Sequence, residues 1–449
     1  MTRTFKYWQL RIIITTMIGY ALFYFVRKNF SMAMPGLEAD LGISKTSLGI
    51  FLTLNGLIYG LSRFLNGLFA DRANARFYMA AGLALCAIAN FAFGFGVDIA
   101  AWISGAPTGS QFTNTLILFM GITWLVNGFL QGSGFPPCAR LLTHWIPPKE
   151  LATKMSWWNT SHSIGASLVI ILCGYIMGNM GVGDQHTGAW RWCFWIPSGV
   201  AFAGALFLFF FLRDTPSSVG LPELEGTEAT WKKQPGKSAE TRAFLREKVF
   251  ANPIIWILGV ANFFVYVCRF SILDWGPTLL KQSKGVSIEN AGWLVALFEI
   301  AGVAGMILAG WFTDRYMKSR AHRTCLFCMA GAALFTFIFW LLPTTAPVWS
   351  LFAVLCATGF FIYGPQALIG IAAANQATKK AAATANGLTG LFGYASTTAS
   401  GVGFGYVVEH YGWDVAYIAI IAMALIGIGI FMLIWKAKAD GYAPETTKN

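Results

Sequence analysis

The sequence predicts an all-α membrane protein with twelve transmembrane helices arranged as two six-helix bundles, and three observations carry that prediction. The 449 residues are 56% hydrophobic and 12% charged, with a mean hydropathy of +0.57, whereas a soluble domain holds about 25% charged residues. Apolar stretches of roughly 20 residues, each long enough to cross about 30 Å of hydrocarbon, recur from Ile12 almost to the C-terminus. Between Arg213 and Arg246 the composition changes to DTPSSVGLPELEGTEATWKKQPGKSAETR, rich in charge, Pro, Gly, Ser and Thr, which reads as a solvated linker between two halves.

The first six spans cover approximately 10–36, 45–69, 77–97, 114–143, 152–178 and 190–212. The second six cover approximately 252–281, 288–313, 322–343, 347–374, 381–408 and 412–436. Residues 1–212 then form an N-terminal bundle, 213–250 a cytoplasmic linker, and 251–449 a C-terminal bundle with its tail. The first apolar run is long, lacks a small-residue cleavage site and contains Arg27, so it is expected to stay as a span rather than be cleaved.

The net charge of +12 follows the positive-inside pattern rather than forming a nucleic-acid patch. Arg3, Lys6 and Arg11 precede the first span, Arg76 follows the second, and Lys149 and Lys154 follow the fourth; Lys318, Arg320 and Arg323 follow the eighth, and Lys379 and Lys380 the tenth. The loops Asp98 to Asn114 and Glu409 to Trp413 contain no Lys or Arg. Both termini are therefore expected on the cytoplasmic side of a cytoplasmic (inner) membrane, with the lipid bilayer and no nucleic acid as partner. The eight cysteines lie in or beside apolar spans and do not resemble a disulfide framework. Cys325 and Cys328 form a CxxC without a matching pair or histidines, so no metal and no cofactor are expected. No nucleotide loop or nucleophile constellation is present, which argues against an enzyme; a monomer is the default.

Two arginines interrupt the apolar stretches, Arg27 in GYALFYFVRKNF and Arg269 in ANFFVYVCRFSILDW. Each closes a Tyr-x-x-Arg frame, beginning at Tyr24 and Tyr266, and the two frames lie about half the chain apart. A charge at a bilayer centre costs about 2.5–3.5 kcal/mol on insertion scales, so such a residue marks a functional site. A guanidinium offers a planar fork to carboxylate or phosphate, and a phosphate monoester carries about −1.5 to −2 at neutral pH. Two arginines suit one phosphate, reached from opposite sides if the halves are related by a pseudo-two-fold axis. The competing reading is permanent pairing with an acid. Arg269 has Asp274 on its own span and Glu299 on the next, whereas no acid lies within the membrane near Arg27 in sequence.

Lys28 follows Arg27 about 100° round a helix, where it faces a helix interface or snorkels. His162, in SWWNTSHSIGAS, lies deep in a span, and its ordinary pKa near 6.5 falls in the range where phosphate titrates; a lone membrane histidine is more often a packed, hydrogen-bonded residue. Asn159, one turn earlier, extends a polar face. Arg63, in YGLSRFLNG, is either a third cation of the site or a snorkelling residue. Tyr20, Tyr24, Tyr59, Trp158, Tyr266 and Tyr363 flank these positions, each an apolar body with one polar handle. They suit a sugar- or glycerol-sized pocket, or ordinary packing.

Gly67-x-x-x-Asp71-Arg72 after the second span recurs as Gly310-x-x-x-Asp314-Arg315 after the eighth. Glycine permits close helix approach, and Asp and Arg can cap and pair with helix ends that move in gating. Asp71, Arg72, Asp314 and Arg315 join Lys28, Asp274 and Glu299 as gating or charge-tuning candidates. Two matched copies resemble the signature of the major facilitator superfamily. More narrowly, YALFYFVRKNFSMAMP, GFPPCARLL, WWNTSHSIG, RDTPSSVGLP, FVYVCRFSILDWGPTLLK, IYGPQALIG and NGLTGLFGY are similar to stretches of the organophosphate:phosphate antiporter family. That family includes glycerol-3-phosphate and hexose-6-phosphate transporters and a related hexose-phosphate sensor.

The resemblance implies that Arg27 and Arg269 bind phosphate, and places His162 and several of the tyrosines at the cavity. The chain departs from the family in having Arg63 where a lysine is usual, and Phe135 where glycerol-3-phosphate carriers often have Trp. Asn386-Gly387-Leu388-Thr389 stands where hexose-phosphate antiporters tend to carry Asp and Lys, which makes Asn386 a cavity candidate and leaves the organic part of the substrate open. The expected function is exchange of a sugar phosphate or glycerol-3-phosphate for inorganic phosphate by alternating access. Two further readings stay open: a membrane hexose-phosphate sensor signalling to a partner kinase, and a proton-coupled organic-anion transporter using His162 or Glu299.

Overall fold

The computed structural model describes residues 3–70, 73–182, 186–224, 243–377 and 382–437, so Asp71, Arg72, Lys379 and Lys380 lie outside the described residues. In hydrocarbon every backbone amide and carbonyl needs a partner within the protein, which favours helices, and the elements that follow are all helical. The first span comprises α1 (Arg3–Phe25) and α2 (Asn29–Leu41), the second is α3 (Lys45–Ala70), and the third is α4 (Ala75–Gly94). After the short α5 (Gly96–Ser104), α6 (Ser110–Gln131) and α7 (Phe135–Trp145) form the fourth, followed by α8 (Pro148–Asn179) and α9 (Ala189–Phe211). The second half runs through α10 (Pro253–Lys284), α11 (Ile288–Tyr316), α12 (Ala321–Leu341) and α13 (Val348–Gln376). It ends with α14 (Ala382–Ala395), a wide helical turn over Thr398–Gly403, and α15 (Phe404–Leu433).

Among the described residues, ten helical stretches are long and apolar enough to cross a membrane. One of them, Thr384–Leu433, has 50 residues, about 75 Å of helix at 1.5 Å per residue and too long for one crossing. It divides at Gly412, whose φ of +80° ends the eleventh span and starts the twelfth. With α3, the set is consistent with twelve crossings.

Two spans expected to be continuous are broken, at residues 26–28 and 132–134. The second break is local in origin. Gly132 and Gly134 bracket the turn, and Pro136 and Pro137 start a helix more readily than they continue one. The first contains neither Gly nor Pro, and it packs closely against the second: a Cβ on Gly134 would sit 3.1 Å from the Phe23 ring.

The chain divides into two compact units. One holds Met1–Lys233, Gly276–Gln282 and Val286–Ala296; the other holds Gln234–Trp275, Ser283–Gly285 and Leu297–Asn449. In the first, α4 packs along α9, α1 along α8 and α3 along α6. In the second, α12 packs along α13 and α15, with Phe339 against Tyr417 and Phe327 against Trp435. The third span pairs with the sixth and the ninth with the twelfth, so the duplication read in the sequence recurs as packing. Pro197 inside α9 deprives the Cys193 carbonyl of its helical partner. Asn29 Nδ2 donates to that carbonyl at 2.9 Å and to Asn90 Oδ1 at 3.1 Å, while Asn90 Nδ2 donates to the Phe194 carbonyl at 3.1 Å.

The expected linker begins as packed structure. Asp214 Oδ1 accepts the Ala75 N–H at 2.8 Å, and Oδ2 accepts from Arg140 Nη2 at 3.0 Å, tying the segment to the start of α4 and the middle of α7. After a tight turn over Pro216–Val219, Val219, Leu221 and Leu224 lie against the core of the first unit. Apolar residues interleaved with turn formers give this stretch a face to bury.

Glu223 accepts the Ser217 N–H at 3.1 Å and stands 3.6 Å from His144. Burial alone would raise its carboxyl, but the Ser217 bonds and His144 together hold it below the ordinary glutamate value. A depressed folded pKa contributes stability that is present above the unfolded value and lost as pH falls through the folded one. Limited proteolysis of the 214–224 segment is expected to accelerate as pH falls below the ordinary glutamate range. Glu223→Gln is expected to accelerate it already at pH 7 and to abolish that acid step.

Candidate functional site

In the first unit, Arg27 occupies the break between α1 and α2 and is half-buried. Its Cζ lies 3.8 Å from the centroid of the Tyr59 ring of α3 and 5.6 Å from that of Tyr24. Ring faces attract a cation electrostatically. The break is braced from α6: Asn127 Nδ2 donates to the Val26 carbonyl at 2.7 Å, and Gln131 Nε2 to the Phe23 carbonyl at 3.0 Å. Lys28 takes the N-cap position of α2 and is 8% exposed. It does not snorkel, and the rotation expected of an unbroken helix does not apply because the helix is interrupted there.

Further predicted residues join Arg27 through their rings. Tyr24 meets Tyr20 edge-on at 5.5 Å, and Tyr20 stacks on Trp158 at 4.9 Å. Phe135 closes on Tyr20 at 6.0 Å and Trp158 at 5.9 Å, and Arg63 Cζ lies 4.1 Å from the Phe135 centroid. Trp158 Nε1 donates to Thr16 Oγ1 at 3.1 Å, which fixes the stack. The His162 ring is 5.7 Å from Tyr24. Its Nδ1 bonds the Asn159 carbonyl, and the Ser163 hydroxyl stands 3.3 Å from Nε2. A carbonyl can only accept, so Nδ1 carries a proton and, in the neutral ring, Nε2 accepts from Ser163. The Asn159 side chain is exposed about 200° round α8 from Trp157, on the side that carries His162.

In the second unit, Arg269 sits on the continuous helix α10 and is 7% exposed. Nη2 donates to Tyr363 Oη at 3.1 Å and to Glu299 Oε1 at 3.4 Å. The Tyr363 centroid lies 4.6 Å from Cζ, with Phe270 at 5.4 Å and Tyr266 at 6.0 Å. Glu299 is 1% exposed, and both Arg269 Nε and Glu299 Oε2 are buried without a hydrogen-bond partner. The pair is long and leaves donor and acceptor capacity unused. Tyr363, expected to line a pocket, is fully buried and acts on Arg269 instead. Asp274 is half-buried on the same helix, and Asn386 is exposed on α14. Asp314 accepts from Ser319 Oγ at 3.2 Å, closing the turn after α11, while Arg315 is exposed in the last helical turn, where a cation is favoured.

Asn127 and Gln131 were not anticipated from the sequence, nor was Phe135 as the platform under Arg63. The available signal was the spacing of Asn127 and Gln131, i and i+4 on one face of an apolar helix.

Residues 16–401 match the Major Facilitator Superfamily. The chain is 37% identical to the probable hexose phosphate transport protein of Chlamydia pneumoniae, over 97% of this chain and 93% of that protein. It is 37% identical to the glycerol-3-phosphate transporter of Bacillus subtilis (strain 168), over 97% and 94%. Its identity to the membrane sensor protein UhpC of Escherichia coli (strain K12) is 33%, over 96% and 92%. A crystal structure of a bacterial homolog to the human lysosomal transporter Spinster, inward-facing and unoccupied, matches with a TM-score of 0.73 at 14% identity, covering 96% of this chain and 97% of that one. At that identity the likeness is one of fold.

Removing one member of a buried ion pair strands the other, at about 3–5 kcal/mol, while replacing both by apolar residues is often neutral. Glu299→Leu is therefore expected to lower thermal stability in detergent strongly, and Arg269→Leu with Glu299→Leu to recover most of the loss.

Proposed function

We propose, for a chain that belongs to the Major Facilitator Superfamily and within it to the organophosphate:phosphate antiporter group, that it exchanges a sugar phosphate or glycerol-3-phosphate for inorganic phosphate by alternating access. The observation that supports this most directly is the pair of Tyr-x-x-Arg arginines, one in each unit, each set against aromatic rings inside an apolar helix bundle. Ring stacking occupies the faces of a guanidinium, whereas its N–H donors lie in its plane, where an oxyanion binds. The relatives named as hexose phosphate and glycerol-3-phosphate transporters share one substrate feature, the phosphate monoester. Arg27 and Arg269 are the proposed phosphate-binding groups.

The two arginines have different proposed duties. Arg27, set on Tyr59 and Tyr24, is the constant ligand. Arg269 is the switch: phosphate takes up its unused donors and releases Glu299, and the pair re-forms when phosphate leaves. Burial of unpaired cations is costly, so a protein without anion resists the occluded state, and either phosphate species lowers that barrier. Exchange follows, with net uptake disfavoured. Arg63 on Phe135, with His162, Asn159 and Asn386, is proposed to meet the organic moiety. The termini are proposed to face the cytoplasm of a bacterial-type inner membrane, and the transporter to work as a monomer.

Phosphate-loaded proteoliposomes are expected to take up labelled external phosphate, with Arg27→Lys and Arg269→Lys each lowering the rate at least tenfold in folded protein. Equal uptake by phosphate-free vesicles would contradict exchange. Tight hexose-phosphate binding without any flux would point instead to a sensor, the role named for the E. coli relative.

A further inference from the structure

We propose that Asn127 and Gln131 are positioning residues for the anion site, holding open the helix break from which Arg27 projects; the inference rests on the phosphate-binding role proposed for Arg27. The break at Val26, Arg27 and Lys28 contains no Gly or Pro to cause it. Left to itself an apolar segment in hydrocarbon would continue its helix, because each carbonyl then finds the amide four residues on. Here the Arg27 N–H turns to the Tyr24 carbonyl at 3.2 Å, which takes it from the Phe23 carbonyl. The vacated partners come from α6. Gln131 Nε2 reaches Phe23 O at 3.0 Å and Val26 O at 3.4 Å, and Asn127 Nδ2 reaches Val26 O at 2.7 Å.

Both amides are buried, lie one helical turn apart, and approach each other at 3.5 Å between Gln131 Nε2 and Asn127 Oδ1. On the other side of the break Asn29 is tied to Asn90 and the Cys193 carbonyl. The chain is thus gripped before and after Arg27. Without the grip, helical continuation becomes the better way to satisfy Phe23 and Val26, and the direction in which residue 27 leaves the backbone changes. The 3.8 Å placement of its guanidinium on Tyr59 then fails. The amide donors of Asn127 and Gln131 are directed at the backbone, so their effect on ligand passes through Arg27.

The test is phosphate affinity in solubilised full-length protein, measured for Asn127→Leu, Gln131→Met and Arg27→Lys, and for each of the first two combined with Arg27→Lys. Asn127→Leu and Gln131→Met are each expected to weaken phosphate binding about tenfold alone, and to add little once Arg27 is lysine, because coupled residues are non-additive. Should Asn127→Leu fail to fold, Gln131→Met, which leaves Asn127 on Val26, carries the same comparison. Undiminished affinity in both variants while Arg27→Lys loses it overturns the positioning role alone. Losses that add fully to Arg27→Lys also overturn it, by showing action independent of Arg27. Unchanged affinity in Arg27→Lys overturns the function proposed for that arginine, on which the inference rests.

Discussion

A guanidinium removed from water must be met by opposite charge or by π electrons, and the organisation of both units follows from that requirement. The chain presents the same Tyr-x-x-Arg frame twice and meets it in two ways. Arg27 is set on Tyr59 and Tyr24 at a break in its helix. Arg269 lies on an unbroken helix, bonded to Tyr363 and Glu299. The repeated frame is thus met differently in the two units, with one arginine set against rings and the other bonded to a tyrosine and a carboxylate.

The second requirement is that every buried carbonyl find a donor, and it organises the first unit as far as the site. Pro197 frees the Cys193 carbonyl, the break at 26–28 frees Phe23 and Val26, and side-chain amides answer each vacancy. Asn29, Asn90, Asn127 and Gln131 therefore connect α2, α4, α6 and α9 around the residue that carries the charge. The series from Tyr59 across Arg27 to Tyr24, Tyr20, Trp158, Phe135 and Arg63 is built on that frame.

The crossings, the duplication and the two arginines were legible because each leaves a local mark: an apolar run, a repeated motif, a charge where none is tolerated. The break beside Arg27 left no such mark, since no Gly or Pro lies in it and the side chains that meet its carbonyls, Asn127 and Gln131, come from a distant helix. That Glu299 and Tyr363 would hold Arg269 depended on which faces of α10, α11 and α13 meet, which side-chain spacing alone leaves undetermined. The packed stretch after Asp214 was masked for the same reason. Its turn-rich composition suggested solvent, while a few apolar residues and one carboxylate were enough to dock it.

The most direct measurement of the central claim is the stoichiometry of inorganic phosphate bound by the purified chain at equilibrium, before and after either arginine is replaced by leucine. Binding lost in folded Arg27→Leu and equally lost in folded Arg269→Leu is the expected result. Full binding retained after either replacement would contradict the phosphate-binding role proposed for that arginine.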